Sequence, residues 1–426
     1  MTSFLGIFIV LLVLGIPISL ALGTGGILYL WLTDNWMLVN AMPQRMLAGV
    51  DQFVLLTIPL FLLAGSLMNL GGLSTRMIGF ANALIGHHKG GISLVTVLAS
   101  ILFAGISGSA IAQASAIGSL MIPAMDKQGI PKAYGGALVA MSSVIDPLIP
   151  PSITMIIFGV LSGVSIAQLF IAGIVPGILL GVALLAYAAW QAHRHNYPAM
   201  ARADWGQRGR ALIEALPALM LPVIIVGGVK TGIFTMTESA AVAVAYAVIV
   251  GALHRELSWQ KIWEALIVTA IATSGLLFIL AMASIVAFAL TVEQVPMTFA
   301  HTLLSISDNK LVVLLMINIM LLILGKFLEP ISVMIITMPI LLQVANMIGM
   351  DLVQFGVMVT LNVVIGMVTP PVGVCLFVVC AISGASLGAV SKAVFPMFLI
   401  CLALLAAIAL IPPITLALPH LMMPAP

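Results

Sequence analysis

Asp146-Pro147-Leu148-Ile149-Pro150-Pro151-Ser152 interrupts an apolar segment long enough to span a bilayer, and the second half of the chain answers it with Gly366-Met367-Val368-Thr369-Pro370-Pro371-Val372-Gly373. A Pro-Pro pair lacks backbone donors and clashes with the preceding turn, so each run predicts a helix broken in mid-span. The two interrupted segments are 132–161 and 351–382. Carbonyls freed at such breaks are costly in hydrocarbon unless they face protein, water or an ion.

Outward from the breaks, the prolines keep step. An apolar segment, 92–125, ends near Pro123, and Pro176 follows Pro151 by 25 residues; a second segment, 311–344, ends near Pro339, and Pro396 follows Pro371 by the same 25. Ser162-Gly163-Val164-Ser165 is echoed by Ser383-Gly384-Ala385-Ser386. The chain therefore reads as an internal repeat.

Composition fixes the medium. The 426 residues are 62% hydrophobic and 7% charged, with a mean hydropathy of +1.28, whereas a soluble domain carries roughly 25% charge. Apolar runs of bilayer-spanning length recur from Phe4 to Leu416, so the protein is polytopic. The first run, Phe4 to Leu32, has no basic leader and reads as retained, either as one crossing or as two pieces around Ile16-Pro17. Cys375, Cys380 and Cys401 lie in apolar segments without metal spacing and read as packing residues.

Charge gives orientation. The polar stretch 193–210 holds Arg194, Arg202, Arg208 and Arg210 and reads as a cytoplasmic linker between repeats 1–192 and 211–426. Basic loops at His87-His88-Lys89, Asp126-Lys127 with Lys132, and His254-Arg255 with Lys261 join it on that side; 343–354 has neither Lys nor Arg and belongs opposite. Hairpin 92–125 then enters from the cytoplasm and hairpin 311–344 from the other side. The expected fold is an all-α polytopic membrane protein of two inverted repeats, each with a re-entrant helical hairpin and a Pro-Pro-broken helix, the architecture of secondary transporters.

The hairpin centres are polar and Gly-rich: Gly105-Ile106-Ser107-Gly108-Ser109, and Gly325-Lys326-Phe327-Leu328-Glu329-Pro330-Ile331-Ser332. Arms of roughly 15 residues, about 22 Å of helix, are short for a full crossing and suit half-membrane helices. Carbonyls and hydroxyls at tips and breaks make oxygen cages for a dehydrated cation, while half-helix N-termini suit an anion. The expected ion-binding residues are Gly105, Ser107, Gly108, Ser109 and Ser152 in the first half, and Gly325, Gly366, Thr369, Pro370, Val372 and Gly373 in the second. Asp146, Pro150, Lys326 and Glu329 are the expected solute contacts, because an intramembrane charge needs a partner. Any single Ser or Gly in a span more often serves helix packing; recurrence at matched places favours a site. Glu238, near the start of a span, reads as a helix cap.

Five stretches together carry a resemblance: Ile58-Pro59-Leu60-Phe61-Leu62-Leu63-Ala64-Gly65, Phe103 to Ala110, Pro147 to Ile153, Gly232-Ile233-Phe234-Thr235 through Glu238 to Val244, and Thr369 to Gly373. The chain resembles the large (DctM-type) permease subunit of tripartite ATP-independent periplasmic (TRAP) transporters. The resemblance implies a bacterial inner-membrane protein with an elevator mechanism, coupled to Na+ ions and otherwise without cofactor. It also implies an organic acid as substrate, delivered by a periplasmic substrate-binding protein, and a small four-helix membrane subunit as partner. Against the family pattern, Gln113 replaces an acidic or amide residue, Asp146 a glycine, Met236 a proline and Lys326 a neutral residue.

Other classes fit less well. Gly105-Ile106-Ser107-Gly108 matches the G-x-S-G of intramembrane serine proteases, but histidines 87, 88, 193, 195, 254, 301 and 420 fall at span ends or in loops, and there is no H-E-x-x-H. A channel would use the polar hairpins as a filter. Two inverted halves with paired breaks suit alternating access instead. An ion-coupled carboxylate carrier that needs no binding protein is the nearest alternative. Nothing points to nucleic acid or a transition metal.

Overall fold

The computed structural model of the chain describes residues 2–307 and 309–423, so the outermost residues of both expected repeats lie outside it. Helices α1 (Thr2–Val13) and α2 (Ile18–Leu32) divide the first apolar run into two pieces. Gly15 at φ 78° and the missing amide of Pro17 stop the ladder between them. Then come α3 (Met42–Val50), α4 (Thr57–Leu70) and α5 (Leu73–Ile85), followed by a hairpin of α6 (Gly91–Phe103) and α7 (Ala110–Lys127). The first interrupted segment forms α8 (Lys132–Ser142), a 3-10 turn (Ser143–Leu148) and α9 (Ile153–Ser162), bent by 42°. The half ends in α10 (Ile166–His195).

The second half runs α11 (Trp205–Lys230), α12 (Met236–Leu253), α13 (Trp259–Val292) and α14 (Val295–Ile306), then a hairpin of α15 (Lys310–Phe327) and α16 (Pro330–Met347). The second interrupted segment gives α17 (Leu352–Gly366) and α18 (Val374–Ser383), and α19 (Leu387–Leu410) and α20 (Pro413–Met422) close the chain. Eight helices among the described residues are long and apolar enough to cross a membrane, or nine with the bent pair. A helix satisfies its backbone polar groups internally, which hydrocarbon demands.

The echoed Ser-Gly-x-Ser motifs fold alike. Ser162 and Ser383 end α9 and α18, and Gly163 (φ 74°) and Gly384 (φ 68°) turn the chain left-handed. Ser165 and Ser386 then cap α10 and α19, accepting from the amides of Gln168 and Ala389. Both Pro-Pro bonds, Pro150-Pro151 and Pro370-Pro371, are cis.

Packing is layered around the broken helices. Every residue from Tyr134 through Leu148 and from Gln354 through Thr369 is buried. Contacts across the halves are reciprocal: α7 packs on α18 and α9 on α16, while α8 packs on α19 and α10 on α17. A second group forms beside this core, where α13 lies against α2, α3 and α4, and α4 against α12.

Polar clamps tie loops of this second group. Glu256 accepts from Arg76, and Lys261 Nζ donates to the carbonyls of Leu70 at 3.0 Å and Glu256 at 2.8 Å. At the far end of α13, Asn35 Nδ2 donates to Glu293 Oε1 at 2.6 Å. The linker is shorter than the composition suggested, 196–204, because α10 continues to His195 and Asp204 opens α11 in a capping box with Gln207. It is strapped to the base of the first hairpin: Gly90 N donates to Pro198 O at 3.0 Å and Met200 N to Gly86 O at 3.1 Å. Glu238 is a cap, in a capping box with Thr235 at the start of α12.

Candidate transport site

The first tip, Ala104 to Ser109, is pressed onto the first break. Gly105 (φ 91°) and Gly108 (φ 63°) require glycine twice over, for their left-handed backbone and for space. A Cβ on Gly105 would strike the carbonyl of Pro150, and one on Gly108 would lie 2.8 Å from that of Pro151. Ser107 Oγ donates to Asp146 Oδ2 at 2.6 Å, joining tip to break. Asp146 is fully buried. The amides of Gly105, Gly108 and Ser109 lie around its carboxylate without reaching hydrogen-bonding geometry, and Oδ1 has no partner. Ser152 serves as N-cap of α9, its Oγ accepting from Met155 N at 3.2 Å.

The second tip is tighter than its sequence suggested. Gly325, Lys326 and Phe327 belong to the last turn of α15, and α16 starts at Pro330, so only Leu328 and Glu329 connect them. Pro at the first helical position and an unbroken ladder to Leu328 explain the difference. The arms are longer too: α6 has the expected shortness at 13 residues, but α7, α15 and α16 each reach 18. Gly325 meets Gly366 backbone to backbone. Across the second break, Thr369 Oγ1 donates to Ile365 O at 2.7 Å, Gly373 N to Thr369 O at 3.2 Å and Cys375 N to Met367 O at 3.0 Å. Ile365 O also accepts from Val368 N at 3.1 Å, so the carbonyls of Met367 and Thr369 are rebonded once each, with one lone pair left over, and that of Ile365 twice. Pro370, Pro371 and Val372 face outward more than their counterparts in the first break, which is buried.

Both tips and both breaks meet at one cavity of about 350 Å³, within the range of small-molecule sites. The first half contributes Gly108, Ser109, Pro147 and Thr154; the second contributes Glu329, Pro330, Val364 and Met367. First-turn residues of three helices line it: Ala110 and Ile111 of α7, Ile153 and Thr154 of α9, and Pro330 and Ile331 of α16. Each N-terminus carries partial positive charge and unpaired amides. Glu329, N-cap of α16 without a side-chain cap bond, is the ionisable group in the lining.

The remaining expected contacts separate. Asp146 is outside the lining, although Pro147 and Ser109 belong to it, and so is Pro150. Lys326 is half-buried on α15, also outside it, and among the described residues it forms no ion pair with Asp146 or Glu329. Sequence reasoning missed the far wall, Leu62 of α4 and Ile271 to Ile279 of α13; an apolar face in an apolar helix gives no signal, save Gly275. A larger cavity of about 680 Å³ between α1, α14 and the second hairpin is lined by carbon, and its one hydroxyl, on Thr337, is spent on Val333 O. It has no means of orienting a polar solute.

Hydroxyl, carbonyl and carboxylate oxygens at the tips fit a hard alkali cation, and among the described residues no cluster of His, Cys, Asp and Glu fits a transition metal. Comparison with known proteins agrees with a transporter. The family described as tripartite ATP-independent periplasmic transporter, DctM component, matches residues 5–414. The chain is 38% identical over 412 residues to the sialic acid TRAP transporter large permease of Vibrio cholerae, covering 96% of each. It is 36% identical to the C4-dicarboxylate TRAP transporter large permease of Rhodobacter capsulatus, covering 98% of each. Its fold is similar to the crystal structure of the YdaH transporter of Alcanivorax borkumensis, with a TM-score of 0.63, 14% identity and 88% of each chain covered.

Proposed function

Because this chain belongs to the DctM component family of tripartite ATP-independent periplasmic transporters, we propose that it takes up a small organic acid by sodium-coupled alternating access at the cavity between its two tips. It is a large permease of the bacterial inner membrane, a secondary transporter of organic acids and not an enzyme. The family works with a small membrane subunit and a periplasmic substrate-binding protein. Here the small subunit is a four-helix protein seated on the lipid-facing surface, and the binding protein delivers the acid.

One observation carries the reading of the site: three helix N-termini and both tips converge on a single cavity. The amides of α7, α9 and α16 answer the carboxylate of the acid. Glu329 accepts hydrogen bonds from hydroxyl or amino groups elsewhere on it. Ser107, Thr369 and the carbonyls of the tips and breaks hold Na+. Bound sodium supplies positive charge beside the solute's carboxylate.

The reciprocal packing of α7 on α18 and α9 on α16 supports two inverted repeats, 1–192 and 211–426, with 92–125 and 311–344 as re-entrant hairpins. The separate packing of α2, α3, α4, α12 and α13 supports a scaffold past which the hairpins and broken helices move as an elevator. Uptake into liposomes holding the chain with its small subunit tests this. Transport must require both a sodium gradient and the loaded binding protein. Uptake of free acid alone would place the chain among carriers that need no delivery.

A further inference from the structure

We propose that Asp146 is a ligand of the cation at the first tip rather than of the solute, so that this ion site carries its own countercharge; the inference rests on the sodium-coupled reading above. Asp146 is fully buried, and among the described residues no Lys, Arg or His reaches it; the ion pairs there join Arg76 to Glu256 and Lys132 to Asp126. Asp146 is outside the lining of the solute cavity, to which Ser109 and its neighbour Pro147 belong. An ionised carboxylate at this depth requires a countercharge, and the amides of Gly105, Gly108 and Ser109 around it offer only partial positive charge.

The oxygen geometry says what that countercharge is. Oδ2 takes its hydrogen bond from Ser107, and Oδ1 has none. Having given its proton to Asp146 and accepted the Ser109 amide at 3.4 Å, the Ser107 hydroxyl keeps one lone pair for a cation, and the carbonyl of Ser109 lies 3.4 Å from that same oxygen. The carbonyls of Pro150 and Pro151 face the tip at Gly105 and Gly108. Carboxylate, hydroxyl and carbonyl oxygens together are the ligand set of a hard cation, with no need of the acid. The second tip has no such group, since Glu329 faces the solute cavity. The first site therefore needs no solute to fill.

Sodium-dependent melting of the purified permease with its small subunit, titrated against choline at constant ionic strength without solute, tests the assignment. Direct binding of radioactive sodium provides a second readout. Wild type is expected to gain melting temperature saturably with sodium. Asp146→Asn should raise the sodium midpoint at least tenfold while melting no lower than wild type in choline. Asp146→Gly should do the same and stands in if the Asn variant does not fold. Gly209→Ala, in open space on α11, should keep the midpoint within threefold. An unchanged midpoint in the Asp146 variants overturns the proposal: with melting lowered equally in sodium and choline, Asp146 is a structural latch, and with only the solute KM raised, it is a solute ligand. Wild-type melting indifferent to sodium overturns the sodium reading itself, a result distinguishable from either.

Discussion

Gly325 and Gly366 stand backbone to backbone, so that a Cβ on Gly366 would lie 2.6 Å from the Cα of Gly325 and one on Gly325 3.1 Å from the Cα of Gly366. Helix α15 reaches the second break only because neither residue has a side chain. Gly366→Ala is expected to destabilise by about 1–3 kcal/mol, since the contacting atoms are backbone and cannot rotate away. Gly209, inside α11 with open space around its Cα, is the comparison: Gly209→Ala should be neutral or stabilise by up to about 1 kcal/mol. Thermal melting of the two purified variants checks the pair, and equal melting temperatures would contradict the close packing.

The Arg76–Glu256 pair joins α5 to the loop before α13, and its side chains are 16% and 35% exposed. Gly72 (φ 72°) brings the chain beside the Glu256 carboxylate, where a Cβ would collide. Arg76→Met and Glu256→Gln should therefore each destabilise, and the double variant by less than their sum, with a coupling on the order of 1 kcal/mol. A double-mutant cycle of melting temperatures measures it. Strict additivity would mean that the two side chains contribute separately.

Much of this arrangement was legible in the residues, for reasons that can be named. Pro-Pro pairs, tip glycines and Ser-Gly-x-Ser turns act on their own backbone, so their positions gave the breaks and hairpins directly. The second tip misled because Gly325 and Ser332 are polar or small yet helical: helix α15 holds Gly325 through tertiary contact with Gly366, which no local pattern reports. The partition of Asp146, Lys326 and Glu329 was hidden for a related reason. All three lie at tips or breaks, but which way each faces depends on how the halves pack, and only Glu329 turns into the cavity. The division of the first apolar run at Gly15-Ile16-Pro17 was visible as one of two options, and the left-handed Gly15 decides it.

Orientation rests on charge and has a direct test. Arg202 in the linker and Asn346 at the end of α16 are both exposed, so a cysteine at either is reachable by a thiol reagent. A membrane-impermeant reagent added to intact spheroplasts should label Asn346→Cys and spare Arg202→Cys, since the linker's basic residues hold it in the cytoplasm. Labelling of Arg202→Cys alone would invert the topology and with it the direction from which each hairpin enters.

Glu329 and Lys326 are three residues apart, but the end of α15 and the start of α16 send them to different surroundings: Glu329 lines the cavity, and Lys326 stays outside it. Lys326 sits in the last turn of α15, where its charge favours the carbonyl end of the helix dipole. If Glu329 holds donors of the solute, a neutral amide there should weaken a charge-assisted bond of about 1.5–3 kcal/mol, roughly a ten- to hundredfold rise in KM. Lys326→Met should change KM by less than about threefold, a difference of about 0.6 kcal/mol. Because no ion pair links Lys326 to Asp146, the stability effects of Lys326→Met and Asp146→Asn should also add, within about 0.5 kcal/mol. Uptake kinetics at saturating sodium, with melting curves of the same variants, decide all three. A KM effect of Lys326→Met larger than that of Glu329→Gln would return the solute's carboxylate to Lys326 and take it from the helix N-termini.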